Sequence, residues 1–231
     1  MVMPIGSLVN AGAILAGAAL GQIAGRVFSE KLRTDLFPTL GLCVLLLGVK
    51  MGLAADDLVG PVISCVLGLL TGVALDLAGR LAAAGQAVRR LLKSGNEKFT
   101  EGLVTATIIM GAGAMGLVGA IEEGLGGGRS ILYSKSILDF FMAAMLGAAY
   151  GSGVPFSAGP ILFYQGGVTL LAGALSPYFT AGLRSGLSAA GGLLVMAIGL
   201  KLLGLRLPAV ENLLPALVYV AVISLVFQGQ G

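Results

Sequence analysis

The chain has no histidine and no tryptophan among its 231 residues, only two cysteines, and charge at just 11% of positions. Each shortage removes a class of function. Without histidine, the commonest metal ligand and the one side chain that titrates near neutral pH are both missing. Cys43 and Cys65 lie in separate apolar runs, so neither a paired zinc or haem spacing nor a disulfide framework can be built from them. Both read as small buried hydrophobes, and no metal or cofactor is expected. The net charge of +3 comes without a basic tail or an aromatic-interleaved basic patch, which leaves nucleic acid without a footing as a partner. No nucleophile–base pair stands out, and the glycine run Gly124-Leu125-Gly126-Gly127-Gly128 follows a helix rather than a strand, so it reads as a turn. The chain is not expected to be an enzyme.

What fills the space instead is apolar. Hydrophobic residues make up 57% of the chain, and charge falls far below the roughly 25% usual in soluble domains. Runs of about 20 apolar residues, enough for a helix to cross a bilayer, recur along the whole length. The expected fold is all-α: one polytopic transmembrane bundle with the lipid bilayer as its partner. Spans are expected near 5–25, 37–55, 58–79, 101–121, 131–151, 155–176, 188–205 and 209–228. Residues 80–99, RLAAAGQAVRRLLKSGNEKF, set leucines and a valine apart from Arg89, Arg90 and Lys93, the pattern of a short amphipathic helix at the headgroup level.

Basic residues resist translocation and so orient the chain. The loops after spans 1 and 3 and the end of span 7 collect Arg26, Lys31, Arg33, Arg80, Arg89, Arg90, Lys93, Lys98, Lys201 and Arg206. Only Lys50, Arg129, Lys135 and Arg184 lie on the other side. Both termini are therefore expected outside the cytoplasm.

The run GLCVLLLGVKMGL at 41–53 is echoed by GLLVMAIGLKLLG at 192–204. Gly41, Leu42, Val44, Gly48 and Lys50 fall on Gly192, Leu193, Val195, Gly199 and Lys201, and Gly12, Leu15, Ala19 and Leu20 fall on Gly167, Leu170, Ala174 and Leu175. Segment 5–79 is thus expected to repeat in 155–228, with spans 4 and 5 at 101–151 between. The alternation of spans turns the second copy upside down, and inverted copies give one binding site two alternative accesses. The two lysines sit at helix C-terminal ends, where an ammonium faces exposed carbonyls and reaches the headgroups.

Candidate pathway residues follow from polar groups in apolar helices. Span 6, VPFSAGPILFYQGGVTLLAGALSP, is punctuated by Pro155, Pro160, Gly166, Gly167 and Pro177 around Gln165. A broken helix is expected there, since unpaired backbone is tolerated only against protein or a watery cavity. Its repeat mate is Asn10-Ala11-Gly12, so Gly12, Gly166 and Gly167 are taken as helix-break glycines beside two amides. Asp139 lies inside span 5 with Lys135 one turn before it, either as a pathway carboxylate or as a self-neutralising pair. Glu101 and Thr105 open span 4 and complete the set. Small-residue stripes at Ala13, Gly17, Gly21 and Gly25 and at Ala143, Gly147 and Gly151 let helix backbones approach closely, within a bundle or across a homodimer.

Several of these segments, from GSLVNAGAILAG through EGLVTATIIMGAGAMGLVGAIEEGL and SILYSKSILD to FYQGGVTLLAG and VENLLPAL, together resemble the domain of unknown function 554 family of bacterial inner-membrane proteins. The resemblance covers essentially the whole chain. It implies a multi-pass protein of the bacterial plasma membrane and brings no activity with it. Two functions are expected to compete: a small secondary transporter or channel for an unknown solute or ion, and a non-transporting scaffold that binds partners through its small-residue faces.

Overall fold

The computed structural model describes residues 3–24, 30–53, 57–80, 83, 97–111 and 114–228. Among them every regular element is helical: α1 Ile5–Ala24, α2 Glu30–Gly52, α3 Val59–Ala74, α4 Glu97–Gly111, α5 Ala114–Gly124, α6 Ser130–Tyr150, α7 Ala158–Leu175, α8 Ala181–Leu202 and α9 Ala216–Gln228. Short 3-10 turns occupy Gly151–Ser157, Ser176–Tyr178 and Val210–Leu213. Most of the amphipathic segment expected at 80–99 lies outside the described residues.

Apolar composition dictates helices here because a chain in lipid must satisfy its own backbone. The stretches Ile5–Ile23, Thr34–Gly52, Ser130–Tyr178 and Ala181–Leu202 are long and apolar enough to cross a bilayer. The third is two helices, since α6 runs parallel to α1 and α7 runs against it. The chain turns between them at Gly151, whose φ of 74° suits glycine. α3 and the stretch Val210–Ser224 are shorter.

Two expectations about breaks are reversed. Span 4 is not one helix: α4 and α5 meet at 62°. Span 6 is not broken in its middle, because α7 runs unbroken through Gly166 and Gly167, as α1 does through Gly12. The prolines explain it. Pro155 falls in the 3-10 turn before α7, Pro177 in the turn after it, and Pro160 in the first turn of α7, where a missing N–H breaks no helical bond. A lone helical glycine costs only about 1 kcal/mol.

Glycines decide how the helices pack. α2 and α8 are antiparallel, and an added Cβ on Gly48 would lie 2.8 Å from the carbonyl oxygen of Gly192, while one on Gly192 would lie 2.8 Å from that of Gly48. Gly41 and Gly199 oppose each other in the same way at 3.0 and 2.9 Å. Farther along the chain, Gly68 and Gly72 of α3 press on the backbone of Ala216 and Asn212. Gly17 and Gly21 of α1 press on the Phe140 and Ala144 carbonyls, and Gly147 of α6 on Ala18, so the two small-residue stripes meet inside one chain.

Alanine substitutions test this directly. Gly192→Ala gains about 1 kcal/mol of helix propensity but overpacks the α2–α8 crossing, and a net loss of about 1–2 kcal/mol is expected in detergent melts. Gly12→Ala, whose Cβ meets nothing within 4 Å, should stabilise instead.

Candidate functional site

Four helices bring polar groups to one buried point. The Lys135 ammonium donates to Asp139 Oδ2 at 2.6 Å and to the Met110 carbonyl at 2.8 Å. Met110 is among the last residues of α4, whose final carbonyls have no partner within the helix. A cation there also meets the negative end of the helix dipole. Asp139 Oδ2 accepts a further bond from Asn10 Nδ2 of α1 at 2.9 Å, and the same amide nitrogen reaches Gln165 Oε1 of α7 at 3.1 Å. An ionised carboxylate only accepts, which fixes the Asn10 amide with its NH2 toward Asp139. Asn10 and Gln165 are fully buried, and Lys135 and Asp139 are 5% exposed. A buried ion pair persists only when extra hydrogen bonds support it, and here α1 and α4 supply them, with Gln165 of α7 accepting from the same Asn10 amide.

The sequence readings of Asn10, Gln165, Lys135 and Asp139 therefore converge, although they come from three separate segments. Three buried atoms nearby find no protein partner: Asn10 Oδ1, Gln165 Nε2 and Ser7 Oγ. Leaving such a group unpaired costs on the order of 1–3 kcal/mol. Two of them belong to the cluster itself, and Ser7 lies one turn before Asn10 on α1.

A second cluster lies one helical turn away. Glu123, 3% exposed at the end of α5, accepts from the Gly6 backbone N–H at 2.7 Å, from Arg129 Nε at 2.9 Å and from Thr169 Oγ1 at 3.4 Å. Gly6 precedes Asn10 by one turn on α1, and Thr169 follows Gln165 by one turn on α7, so about 6 Å of helix separates the clusters. Polar groups thus line the interior from Met110 to Arg129, whose side chain is 41% exposed. In the sequence Glu122 and Glu123 stand side by side at the end of span 4, with nothing to tell them apart. Adjacent helical residues point about 100° apart, so only one of two neighbouring acids can face outward. Glu122 accepts from Ser188 and lines a small cleft with Lys50 and Ser130, while Glu123 faces the core.

The remaining candidates do not join the cluster. Glu101 and Thr105 are half-buried on α4, about 13 and 8 Å of helix before Met110. Gly12 and Gly167 are exposed within continuous helices, and a Cβ added to the buried Gly166 would lie 3.8 Å from Pro4. None of the three breaks a helix at the site. The break that does serve it is the one between α4 and α5. Lys50 and Lys201 sit in the last turns of α2 and α8, exposed and away from the cluster.

Residues 5–225 match the family model described as "Protein of unknown function (DUF554)". The chain belongs to this family. Among curated proteins it is similar to the Uncharacterized protein YqgA of Escherichia coli (strain K12), 32% identical over 220 residues, which cover 93% of this chain and 94% of YqgA. It is also similar to the Uncharacterized membrane protein YdfK of Bacillus subtilis (strain 168), 26% identical over 230 residues and 98% of each chain. No solved structure matches. The described residues are all-helical, and their apolar helices together with the name of YdfK support a membrane protein.

Proposed function

We propose that this DUF554 protein is a small secondary transporter or channel, built as an inverted repeat around the Asn10–Asp139–Lys135–Gln165 cluster. The observation that carries the reading is the cluster itself: a buried ion pair at a helix break, bonded by the Asn10 amide of one proposed repeat, which also donates to Gln165 of the other. Charged side chains inside membrane helices mark ion or solute pathways more often than they serve packing. Unpaired helix ends at such a point are the usual construction of a transporter site.

The packing supports the repeat. The sequence echo places Gly41 on Gly192 and Gly48 on Gly199. Exchanging the copies turns the contact Gly41–Gly199 into Gly192–Gly48, and both contacts exist. α1 with α7, α2 with α8 and α3 with α9 each meet antiparallel, as a twofold axis in the membrane plane requires. Helix directions also fit eight alternating spans, with α4 and α5 as the halves of one. In the bacterial plasma membrane, the basic asymmetry then leaves both termini outside.

Reconstituted protein should move solute in a manner that depends on the amides. Asn10→Ala and Gln165→Ala are expected to accumulate folded and lose most flux in vesicles screened against ions and small metabolites. Unchanged flux in both variants would remove the cluster from the pathway. A scaffold would show no specific flux at all.

A further inference from the structure

Away from the buried cluster, a small cleft holds charges of both signs that do not neutralise each other. It encloses about 150 Å³ between α2, α5, α6 and α8. Lys50, in the last turn of α2, and Glu122, near the end of α5, both line it, together with Ser130 and Ser188. Lys50 and Glu122 form no ion pair with each other. The Glu122 carboxylate accepts from Ser188 Oγ at 3.2 Å instead. Lys50 has no hydrogen-bond or ion-pair partner among the described residues. The neighbouring acid, Glu123, faces the core and is engaged by Arg129 and Gly6, so it does not compete for Lys50.

The turn beside the cleft has no side chains to fill it. Gly127 and Gly128 line it with bare backbone. A Cβ on Gly127 would collide with the Glu122 carboxylate, and Gly128 holds a φ of 120° that suits glycine. α6 begins directly after this turn. Its N-cap residue, Arg129, makes no side-chain cap bond, and Ser130 and Ile131 of its first turn line the cleft. The positive end of a 21-residue helix thus adds to the charge of Lys50.

We propose that this cleft binds a small amino acid, its carboxylate on Lys50 and the first turn of α6 and its ammonium on Glu122. Neither charge alone fits. A simple anion drawn to Lys50 would also face the Glu122 carboxylate, and a simple cation drawn to Glu122 would also face the Lys50 ammonium. A zwitterion answers both with charge-assisted hydrogen bonds. The Ser130 and Ser188 hydroxyls can donate or accept, so they suit either end. Drug-sized ligands fill about 300–1,000 Å³. A cleft of about 150 Å³ limits the occupant to a few heavy atoms, an amino acid with little or no side chain. The inference does not rest on the transport reading, because the cleft shares no residue with the Asn10–Asp139–Lys135–Gln165 cluster.

Glycine is the probe. Full-length protein in nanodiscs, titrated with glycine at fixed ionic strength, should show a saturable rise in melting temperature. Betaine carries the same two charges and stabilises proteins generally as an excluded solute. Its quaternary nitrogen cannot donate to Glu122, so it should give no saturable rise. Acetate and methylammonium, each one half of the ligand, should bind at least about tenfold more weakly than glycine. Lys50 is exposed and Glu122 half-buried, so both positions tolerate substitution. Lys50→Gln and Glu122→Gln should each weaken glycine binding about tenfold or more, the effect of losing one charged hydrogen bond. Lys50→Arg, which keeps the charge, should retain most of the response, and Asn10→Ala should bind glycine as wild type does. The proposal is overturned if glycine gives no saturable response, if betaine or acetate matches it, or if either glutamine variant keeps wild-type affinity. Loss of glycine binding in Asn10→Ala would move the ligand to the cluster and overturn the cleft as well. Because binding is read without flux, a chain that binds glycine in this way but moves nothing supports the cleft and refutes only the transport reading.

Discussion

Asp139→Asn should cost about 3–5 kcal/mol of stability in detergent or nanodiscs, the usual penalty for removing one partner of a buried ion pair. The shape of the side chain is kept, and Asn10 can still donate to the new amide oxygen. What is lost is the counter-charge for Lys135, which keeps only the Met110 carbonyl as a strong acceptor. Lys135→Met should cost a similar amount for the opposite reason, leaving a buried carboxylate with only the Asn10 amide. The double variant Lys135→Met with Asp139→Asn should recover to within about 1 kcal/mol of wild type, because both charges go together and the methionine fills the lysine stem's volume. Thermal melts of the four proteins form the cycle. Stability alone does not separate an inert pair from a pathway, so flux is read on the same samples. A pathway pair leaves the double variant folded and inactive. Rescue of stability and flux together would make the pair merely structural.

How much of this was legible in the sequence differs by level. The fold class was legible because apolar runs without charge have one solution in lipid. Asn10, Gln165, Lys135 and Asp139 stood out for a related reason: polar groups there need partners, and a partner must be another polar group. Which helix breaks was not legible. Prolines in span 6 advertised a break, yet all three fell where a helix end or first turn absorbs them. The real break falls between Gly111 and Ala114, in a glycine-rich stretch of sequence that reads equally well as a packing face. The lysine echo between 41–53 and 192–204 drew attention for the wrong residue. Lys50 and Lys201 end exposed, whereas the echoed glycines Gly41, Gly48, Gly192 and Gly199 hold the α2–α8 crossing. Glycine carries no chemistry to notice, so its role appears only when the partner backbone is placed against it.

The second large effect is expected at Glu123, which no sequence pattern singled out from its neighbour. Glu123→Ala should cost about 3 kcal/mol, since it strips an acceptor from the buried Gly6 N–H and a counter-charge from Arg129 at once. Glu123→Gln keeps an oxygen for Gly6 but loses the charge, and should cost roughly half as much. Arg129→Ala should cost under about 1 kcal/mol, because its side chain is 41% exposed and water takes over its role. The order Ala, then Gln, then the arginine change distinguishes a carboxylate that caps α1 from one that merely pairs with arginine. Equal losses for Glu123→Gln and Arg129→Ala would leave only the pair. Hydrogen exchange adds the location: amides in the first turn of α1 should open first in Glu123→Ala. That turn carries Ser7 and leads directly into Asn10, so loosening it withdraws the amide that bridges Asp139 and Gln165. Flux should therefore fall in Glu123→Ala even in conditions where the protein remains folded, because the two clusters share one helix end.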